Sequence, residues 1–367
     1  MNLFIGGLLV VVTLVYVGFT IVIIRGLFLK LSKPGRSDHP DVAVVIAARN
    51  EEQNLPQLLA DLAAQNYQGQ LDFYIADDRS TDSTWSILEQ FSRRHTNLHA
   101  VRINALAENM TPKKNALTQC LKQTTAELIL TTDADCRVGP GWVASAVSQM
   151  DETVGVLVGY SQVEARTIFQ RYQALDFIGI MVANAGMMTQ GQVWSGSGQN
   201  LAYRRSAFTT IGGFNPVAHK ISGDDVYLVQ AIPVATGLQA RFNFEPDHFV
   251  QTMPMDTLKA FLSQRIRWSS NSKGLEKRKP RFFAFLLSAF LSNFLLLIMG
   301  MFGWFDVFFW CALALKFLAE GVVMMAGAQR FGYGALLPMY PLWFVVQPFY
   351  ISYVGLMGLR GKFSWKP

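Results

Sequence analysis

Residues 3–24 carry no charged side chain, and the run ends at Arg25. A helix needs roughly 20 apolar residues to cross the hydrocarbon core of a bilayer, so this run predicts a membrane span. A cleaved signal peptide carries its positive charge before the apolar stretch, and none precedes it here, which favours an uncleaved anchor over residues 1–30. Because Lys and Arg collect on the cytoplasmic side of a span, we expect the N-terminus outside and the chain after Arg25 in the cytoplasm.

Three further apolar runs follow near the C-terminus, over residues 282–302, 305–328 and 335–358. They predict C-terminal transmembrane segments over residues 282–358 and four spans in all. Four spans put both termini outside, whereas the basic tail after residue 358 favours the cytoplasm. Three prolines interrupt the last run and are compatible with a broken or re-entrant segment instead of a crossing. The topology of this segment stays open.

The charge pattern favours a membrane partner over a nucleic acid. Half of the residues (51%) are hydrophobic and only 16% are charged, against about 25% charged in a typical soluble protein. The net charge is +6, with Lys and Arg crowded beside the apolar runs, which suits anionic lipid head groups. No basic stripe with interleaved aromatic residues is present, so no nucleic-acid partner is expected. We expect a multi-pass protein of the inner or plasma membrane with a cytoplasmic catalytic domain.

The three cysteines are far apart in the sequence and have no metal-ligand spacing: they are Cys120, Cys136 and Cys311. An odd number of cysteines without a pattern favours reduced thiols, as in a cytosolic compartment.

Residues 41–256 are predicted to form a soluble α/β domain. Short apolar runs rich in β-branched residues predict strands over residues 42–47, 71–76, 126–131 and 154–160, and residues 55–65 predict a helix. Strands that alternate with helices are typical of a mostly parallel, Rossmann-like sheet.

Residues 257–281 predict an amphipathic helix followed by a basic cluster. Apolar residues recur at helical spacing from Leu258 to Ile266, with Lys259, Arg265 and Arg267 between them. Such a helix can lie on the membrane surface. It can equally pack against the folded domain, and both interpretations stay open.

Carboxylates follow two of the predicted strands. Asp77 and Asp78 end the second strand, at the sheet edge where open α/β sheets bind ligands; Asp82, nearby, is also a good helix cap. Asp133 and Asp135 follow the strand at residues 126–131. Two carboxylates two residues apart on a bend can converge on one hard cation, so we expect a Mg²⁺ or Mn²⁺ site.

A third acidic pair and a polar motif come later in the chain. Asp224 and Asp225 follow Gly223, and the sequence Gln-Arg-Ile-Arg-Trp ends the predicted amphipathic helix. Within it, Gln264, Arg265 and Arg267 offer donors that suit diphosphate oxygens, and Trp268 offers a flat face for a sugar ring. An interfacial belt residue is the alternative for Trp268.

Together these motifs resemble the family-2 glycosyltransferases with a GT-A fold, in particular the membrane-bound branch with hyaluronan, chitin and cellulose synthases and ceramide glucosyltransferase. The resemblance covers about residues 41–268 and depends on the order Asp-Asp-x-Ser-x-Asp, Asp-x-Asp, Gly-Asp-Asp and Gln-x-x-Arg-Trp. It implies a nucleotide-sugar donor, a UDP-sugar by preference, and a divalent metal ion.

The resemblance assigns the donor-binding residues position by position. Residues of the loop after the first strand would touch the nucleotide base, and the acids after the second strand would hold the uridine; they are Ala47, Arg49, Asn50, Glu51, Asp77 and Asp78. Lys113 matches a motif lysine, although Pro112 stands where that motif has glycine. Asp133 and Asp135 match the metal motif, with Asp135 as the preferred direct ligand.

The resemblance also assigns the catalytic residues. Asp225 matches the general base of an inverting transfer, with Asp224 beside it in the substrate site. Gln264, Arg267 and Trp268 match the last motif. Residues 195–199 resemble the stretch beneath the donor sugar, and residues 212–214 either begin the acceptor loop or form a plain turn.

The implied function is transfer of a sugar to a lipid or lipid-linked acceptor at the membrane, with no obligate protein partner evident. A processive polysaccharide synthase is the main alternative, although those enzymes surround the product with more than four membrane helices. A catalytically inactive sugar- or lipid-binding relative would have lost a carboxylate, and none is missing. A nucleotidyltransferase would not explain the Gln-x-x-Arg-Trp motif. We also expect a chain that ends before residue 282 to retain slow donor hydrolysis.

Two other groups have no role in this scheme. His248 is expected to be structural. Lys316 and Glu320 lie one helical turn apart within a predicted span, where a charge pair is either functional or an internal salt bridge.

Overall fold

The computed structural model describes residues 2–29, 36, 38–105, 107–271 and 279–360. The chain divides into two compact units. The sheet unit comprises Lys30–Glu164 and Gly191–Met253, and the helical unit comprises Met1–Leu29, Ala165–Gln190 and Pro254–Pro367. Much of the predicted basic cluster (residues 273–278) and of the basic tail (residues 361–367) lies outside the described residues.

The sheet unit contains two sheets. The ten strands are β1 Val42–Ala48, β2 Leu71–Asp78, β3 Leu98–Ile103, β4 Leu128–Thr131, β5 Cys136–Val138, β6 Val154–Gly159, β7 Ser161–Val163, β8 Leu201–Arg204, β9 Gln239–Asn243 and β10 Val250–Thr252. The larger sheet has the order β3-β2-β1-β4-β8-β6-β9, and the smaller has the order β5-β10-β7. In the larger sheet β3, β2, β1 and β4 are parallel, β6 and β9 are parallel, and β8 runs antiparallel to both β4 and β6. The predicted α/β fold with a mostly parallel sheet is confirmed.

Helices cover the sheet. They are α2 Leu55–Ala63, α3 Thr84–Ser92, α4 Pro112–Leu121, α5 Trp142–Gln149, α7 Arg205–Thr210 and α8 Asp224–Thr236. Every residue of β1 is buried except Ala47, which is half-buried. This explains the continuous apolar run, since a central parallel strand is covered on both faces. Leu55, Leu58 and Leu62 of α2 share one core cluster with alternate residues of β1.

The helical unit contains the four predicted spans. Its helices are α1 Asn2–Leu27, α6 Ile168–Met188, α9 Leu258–Ser270, α10 Pro280–Met301, α11 Val307–Arg330 and α12 Tyr340–Arg360. Within the described residues, α1, α10, α11 and the stretch Gly334–Arg360 are long and apolar enough to cross a membrane. The last stretch begins with a 3-10 helix, Gly334–Met339, and continues as α12 with Pro348 inside it.

α6 groups with the apolar helices, although the sequence suggested that residues 41–256 form one α/β domain. Small residues explain its close packing on α1: a Cβ atom at Gly26 would lie 1.7 Å from the carbonyl oxygen of Gly186. Thr189 donates a hydrogen bond to the carbonyl of Gly26 at 2.7 Å, and Gln190 donates one to the carbonyl of Val22 at 2.9 Å. The end of α6 is therefore fixed to the end of α1.

α9 is the predicted amphipathic helix, and it packs on α6 and α12. Phe261 is buried and stacks on Tyr350 of α12, with ring centroids 5.6 Å apart. Arg265, which the sequence suggested for the polar face, is buried as well. That expectation is wrong because Asp176 of α6 supplies a buried counter-charge for the guanidinium. The packing interpretation therefore accounts for the buried face of α9.

Candidate active site

The loops after β1 and β2 are joined by hydrogen bonds at the carboxyl edge of the sheet. Asn50 and Arg79, one in each loop, have positive φ angles of 54° and 56°. The backbone N–H of Asn50 donates to the hydroxyl of Ser80 at 2.9 Å, and the side-chain oxygen of Asn50 accepts from the N–H of Thr81 at 2.9 Å. Backbone strain of this kind persists where surrounding bonds hold it, and it is typical of functional sites.

Asp77 and Asp78 are buried at this edge. Asp77 accepts a hydrogen bond from the backbone of Ser80 at 3.3 Å, and Asp78 pairs with the Arg79 Nε at 2.9 Å. Sequence reasoning gave Arg79 no role, although this residue directly follows the two acids. Its Nη2 atom is buried with no hydrogen-bond partner among the described residues.

The other predicted donor residues of this edge differ in exposure. Ala47 is half-buried at the end of β1, and Arg49 is exposed. Glu51 is buried and accepts a hydrogen bond from the Asn54 side chain at 2.9 Å. Asp82 accepts from the backbone N–H groups of Thr84 and Glu52 at 3.0 and 3.1 Å, so the structural alternative accounts for it.

A second set of predicted residues meets in a small cleft of the sheet unit. Lys113 at the start of α4 contacts Asp133, with Nζ 2.6 Å from Oδ1. The cleft is lined by Lys113, Leu117, Thr131, Thr132, Gly198, Leu201, Phe214, Asp224, Asp225 and Leu228. Residues that sequence reasoning assigned from three separate motifs therefore share one cleft. Thr131 and Thr132, which immediately precede Asp133, were missed.

Asp225 is held by the backbone on both sides. Its Oδ2 atom accepts from the N–H of Gly198 at 3.0 Å, and its Oδ1 atom accepts from the N–H of Val226 at 2.8 Å. A Cβ atom at Gly198 would lie 3.7 Å from both Asp225 Cβ and Lys113 Nζ, so a larger side chain would fill the cleft. The glycine in the predicted stretch 195–199 thus keeps this space open.

The charges of the cleft shift two pKa values in ways that suit acid–base chemistry. Burial, with the neighbouring charge of Asp224, raises the pKa of Asp225 to about 6. Burial alone would lower the pKa of Lys113, but the charges of Asp133 and Asp224 raise it above its ordinary value. At neutral pH Lys113 is therefore a cation, and Asp225 is a carboxylate that can still accept a proton.

Asp224 and Asp225 occupy the first turn of α8, immediately after Gly223 with its positive φ of 85°. The N-terminus of a helix favours negative charge, which keeps two adjacent carboxylates tolerable there. Glycine is suited to the left-handed conformation that begins this turn.

Asp133 and Asp135 lie on the turn between β4 and β5, and both are half-buried. Within the described residues, no group of three or more His, Cys, Asp or Glu side chains could hold a metal ion. The two carboxylates fit a hard cation in donor chemistry, but a cation bound there would need further oxygen ligands from another source. One oxygen of Asp133 is paired with Lys113.

Gln264, Arg267 and Trp268 belong to the helical unit. The side-chain oxygen of Gln264 accepts a hydrogen bond from Arg265 Nη1 at 2.7 Å. The guanidinium of Arg265 lies 4.3 Å from the Trp268 ring centroid. All three predicted residues are half-buried on α9.

The two groups outside this scheme are buried. His248 is fully buried, contacts the carbonyl of Trp142 through Nδ1 at 3.2 Å, and burial lowers its pKa to about 4. Lys316 and Glu320 form a buried salt bridge of 2.7 Å, and Glu320 also accepts from the Tyr16 hydroxyl at 2.9 Å. The internal salt-bridge alternative accounts for this pair.

The sequence model of glycosyl transferase family 21 matches residues 8–366. The chain belongs to glycosyl transferase family 21. The motif resemblance was to family 2, so the glycosyltransferase assignment is confirmed at the level of the enzyme class.

Two relatives agree with the glycosyltransferase class. The chain is 29% identical over 185 residues to a beta-monoglucosyldiacylglycerol synthase of Synechocystis sp.. The matched stretch covers 48% of this chain and 37% of that protein. It is 27% identical over 250 residues to an N-acetylglucosaminyltransferase of Rhizobium meliloti. Here the matched stretch covers 64% of this chain and 56% of that protein. The chain therefore spans only part of the length of these relatives.

The fold is shared along the whole chain with a mannosyltransferase of Pyrobaculum calidifontis, solved in complex with GDP-Man and Mn²⁺. The TM-score is 0.66 at 20% identity, over 98% of this chain and 99% of that one. The GT-A fold predicted for the family 21 chain is confirmed.

Proposed function

We propose that this family 21 chain is an inverting glycosyltransferase. It moves a sugar from a nucleotide-sugar donor, a UDP-sugar by preference, to a lipid or lipid-linked acceptor at the cytoplasmic face of a membrane. The observation that carries the proposal is the cleft in which Asp225, with its pKa raised to about 6, lies with Lys113 and the start of the Asp133–Asp135 turn.

The donor nucleotide is assigned to the edge formed by the loops after β1 and β2. Ala47, Arg49 and Glu51 would face the base, and Asp77 and Asp78 would accept hydrogen bonds from the uracil and ribose. Two loops that are held to each other by Asn50 and Ser80 support this assignment, because a rigid edge loses little entropy when the nucleotide binds.

A divalent cation, Mg²⁺ or Mn²⁺, is assigned to Asp135 and Asp133. When bound, it would neutralise the developing negative charge of the leaving diphosphate. The hard oxygen chemistry of the two half-buried carboxylates supports the assignment, as does the Mn²⁺ bound to the Pyrobaculum mannosyltransferase.

Asp225 is assigned as the general base. The acceptor hydroxyl gives its proton to the Asp225 carboxylate while its oxygen forms a bond to the anomeric carbon, and the bond from that carbon to the diphosphate oxygen breaks. A base on the face opposite the leaving group inverts the anomeric configuration. The hydrogen bonds from Gly198 and Val226 hold the carboxylate in one orientation for this step.

Lys113 is assigned to the substrate site as a fixed positive charge. Its charge lowers the Asp225 pKa, which favours the ionised carboxylate, and it offers a cation to an anionic donor. Asp224 has the opposite effect on its neighbour, because its charge raises the Asp225 pKa toward the working pH. Gln264, Arg267 and Trp268 are assigned from their motif: donors for the diphosphate and an aromatic face for the sugar.

A lipid acceptor is supported by two observations. Four helices within the described residues are long and apolar enough to cross a membrane, and the Synechocystis relative is named for a glucosylated diacylglycerol. The Rhizobium relative, an N-acetylglucosaminyltransferase, supports a glycan acceptor as the second candidate.

The test uses the full chain in lipid nanodiscs, incubated with a panel of UDP- and GDP-sugars and with Mg²⁺ or Mn²⁺. Released nucleotide is measured with diacylglycerol, with ceramide, with an oligosaccharide and with no acceptor. We expect one donor whose turnover rises when a lipid acceptor is added and disappears in Asp225→Asn. No nucleotide release from any donor would overturn the proposed function, and stimulation by the oligosaccharide alone would replace the lipid by a glycan acceptor.

A further inference from the structure

Arg265 stands inside the Gln-x-x-Arg-Trp motif, at a position that the motif leaves unspecified. Its side chain is nevertheless buried, with 5% exposed, and so is that of Asp176 on α6, with 6% exposed. Arg265 Nε lies 2.9 Å from Asp176 Oδ2. Two charges taken out of water are costly unless their geometry is tightly satisfied, so a buried pair at this position calls for an explanation beyond stability.

The guanidinium of Arg265 contacts both predicted functional neighbours at once. Its Nη1 atom donates to the side-chain oxygen of Gln264 at 2.7 Å, which fixes the amide so that its NH₂ group is the end left to donate elsewhere. Its planar face lies 4.3 Å from the Trp268 ring centroid and 4.7 Å from that of Phe261. Arginine can do both because its charge is spread over a flat fork of donors.

Asp176 has a second partner on a candidate membrane span. The hydroxyl of Tyr350 on α12 donates to the same Oδ2 atom at 3.3 Å. The Tyr350 ring also stacks on Phe261 of α9. One carboxylate therefore ties the orientation of α9 to α6 and to α12.

We propose that Arg265 is a positioning residue that sets the orientations of Gln264 and Trp268, with Asp176 and Tyr350 as its anchor. The proposal rests on the proposed function, in which Gln264 and Trp268 act on the donor. It gives α12 a part in positioning the motif, because the Tyr350 hydroxyl on α12 donates to Asp176.

The first variant is Arg265→Lys in the full chain in nanodiscs. Lysine retains the charge opposite Asp176 but cannot also form the flat stack and the second hydrogen bond. We expect kcat to fall at least about tenfold, since small misplacements of reacting groups are costly. The donor KM and the unfolding temperature should stay close to those of the wild type. A kcat equal to that of the wild type would overturn the proposal.

A double-mutant cycle tests whether Arg265 acts through Gln264. If it does, Arg265→Lys should cost much less in a Gln264→Ala background than in the wild type, because the group being oriented is gone. A merely structural role predicts equal losses in both backgrounds, and that result would refute the positioning role.

The Lys316–Glu320 pair offers a matched control, because it is also a buried ion pair of the helical unit. Replacing both residues by Met should leave kcat per folded molecule unchanged. If this double variant loses kcat as strongly as Arg265→Lys, general disturbance of the helical bundle explains both effects and the proposal fails.

Hydrogen–deuterium exchange separates this proposal from the proposed function. Asp176→Asn and Arg265→Lys should each speed amide exchange in residues 258–270 while leaving β4 as protected as in the wild type. This measurement needs no activity. A wild type without transfer activity would count against the proposed function alone, whereas unchanged exchange in both variants would overturn the role of the pair.

Discussion

Lys113 Nζ lies 2.6 Å from Asp133 Oδ1, so the lysine at the start of α4 is paired with the first carboxylate of the Asp-x-Asp turn. The same lysine lines the cleft that contains Asp224 and Asp225. The single positive charge of Lys113 therefore interacts with three carboxylates, Asp133, Asp224 and Asp225. Its removal should alter both the charge balance of the cleft and the rate of catalysis.

Lys113→Met should reduce turnover by roughly 10²-fold, comparable to the loss of one preorganised electrostatic group. The Asp225 pKa should rise further, because the nearby positive charge that favours the ionised form is lost. The acidic limb of the pH–rate profile should then move to higher pH. Lys122→Met is the control: Lys122 is an exposed lysine at the C-terminal end of the same helix, so its loss should leave that limb in place.

The wild-type rate should fall as the pH drops through about 6, the pKa to which burial and Asp224 raise Asp225. The sign follows from the role: the carboxylate is the active form of the base, and protonation removes it. Asp224→Asn should move this limb to lower pH, since it deletes the neighbouring negative charge. A limb that stays near 6 in Asp224→Asn would assign the titration to another group.

Asp225→Asn should lower kcat by about 10²- to 10⁴-fold, because only the base is lost. Donor affinity should stay within a small factor of the wild-type value. Both quantities are available from single-turnover kinetics and from competition with the free nucleotide. Near-normal turnover would move the role to Asp224 or refute the mechanism.

The acids of the site could be predicted from the sequence because topology alone brings them together. Asp77 lies at the end of β2 and Asp133 follows β4, and these two parallel strands flank β1 in the same sheet. The carboxyl ends of such strands meet at one edge. Thr131 and Thr132 escaped notice because threonine at the end of a strand also fits plain β propensity.

The helical unit could not be predicted in the same way. Nothing in residues 165–190 shows that they pack with α1, since that contact depends on Gly26 and Gly186, which are 160 residues apart. Arg265 resembled a polar-face residue because its partner Asp176 lies 89 positions earlier. α9 packs on α12 through Phe261 and Tyr350, and a chain that ends before residue 282 would lose this contact. Slow donor hydrolysis by such a chain stays a prediction.

Asp135→Ala should weaken donor binding itself, and excess EDTA should abolish wild-type activity. Without a cation the carboxylates would face the diphosphate's negative charge directly. Donor affinity is measured by titration with and without Mn²⁺, and Glu152→Ala, an exposed carboxylate of the same unit, is the control. Full activity in EDTA would contradict the metal assignment.

The final prediction concerns the glycines of α1, which differ sharply in their surroundings. A Cβ atom at Gly26 would lie 1.7 Å from the carbonyl oxygen of Gly186 and 2.4 Å from the Gln190 side chain. A Cβ atom at Gly18, on the same helix, would have nothing within 4 Å. Small residues permit close helix approach in membrane proteins, so this packing needs a glycine at position 26 but not at position 18.

Gly26→Ala should therefore destabilise the helical unit by about 1–3 kcal/mol, as overpacking does elsewhere. Gly18→Ala should be neutral or slightly stabilising, because alanine is the better helix former. The two substitutions add the same methyl group to the same helix, so their difference isolates the contact between α1 and α6. Thermal unfolding of both variants in identical nanodiscs measures it, and equal unfolding temperatures would show that α6 does not depend on α1 for its position.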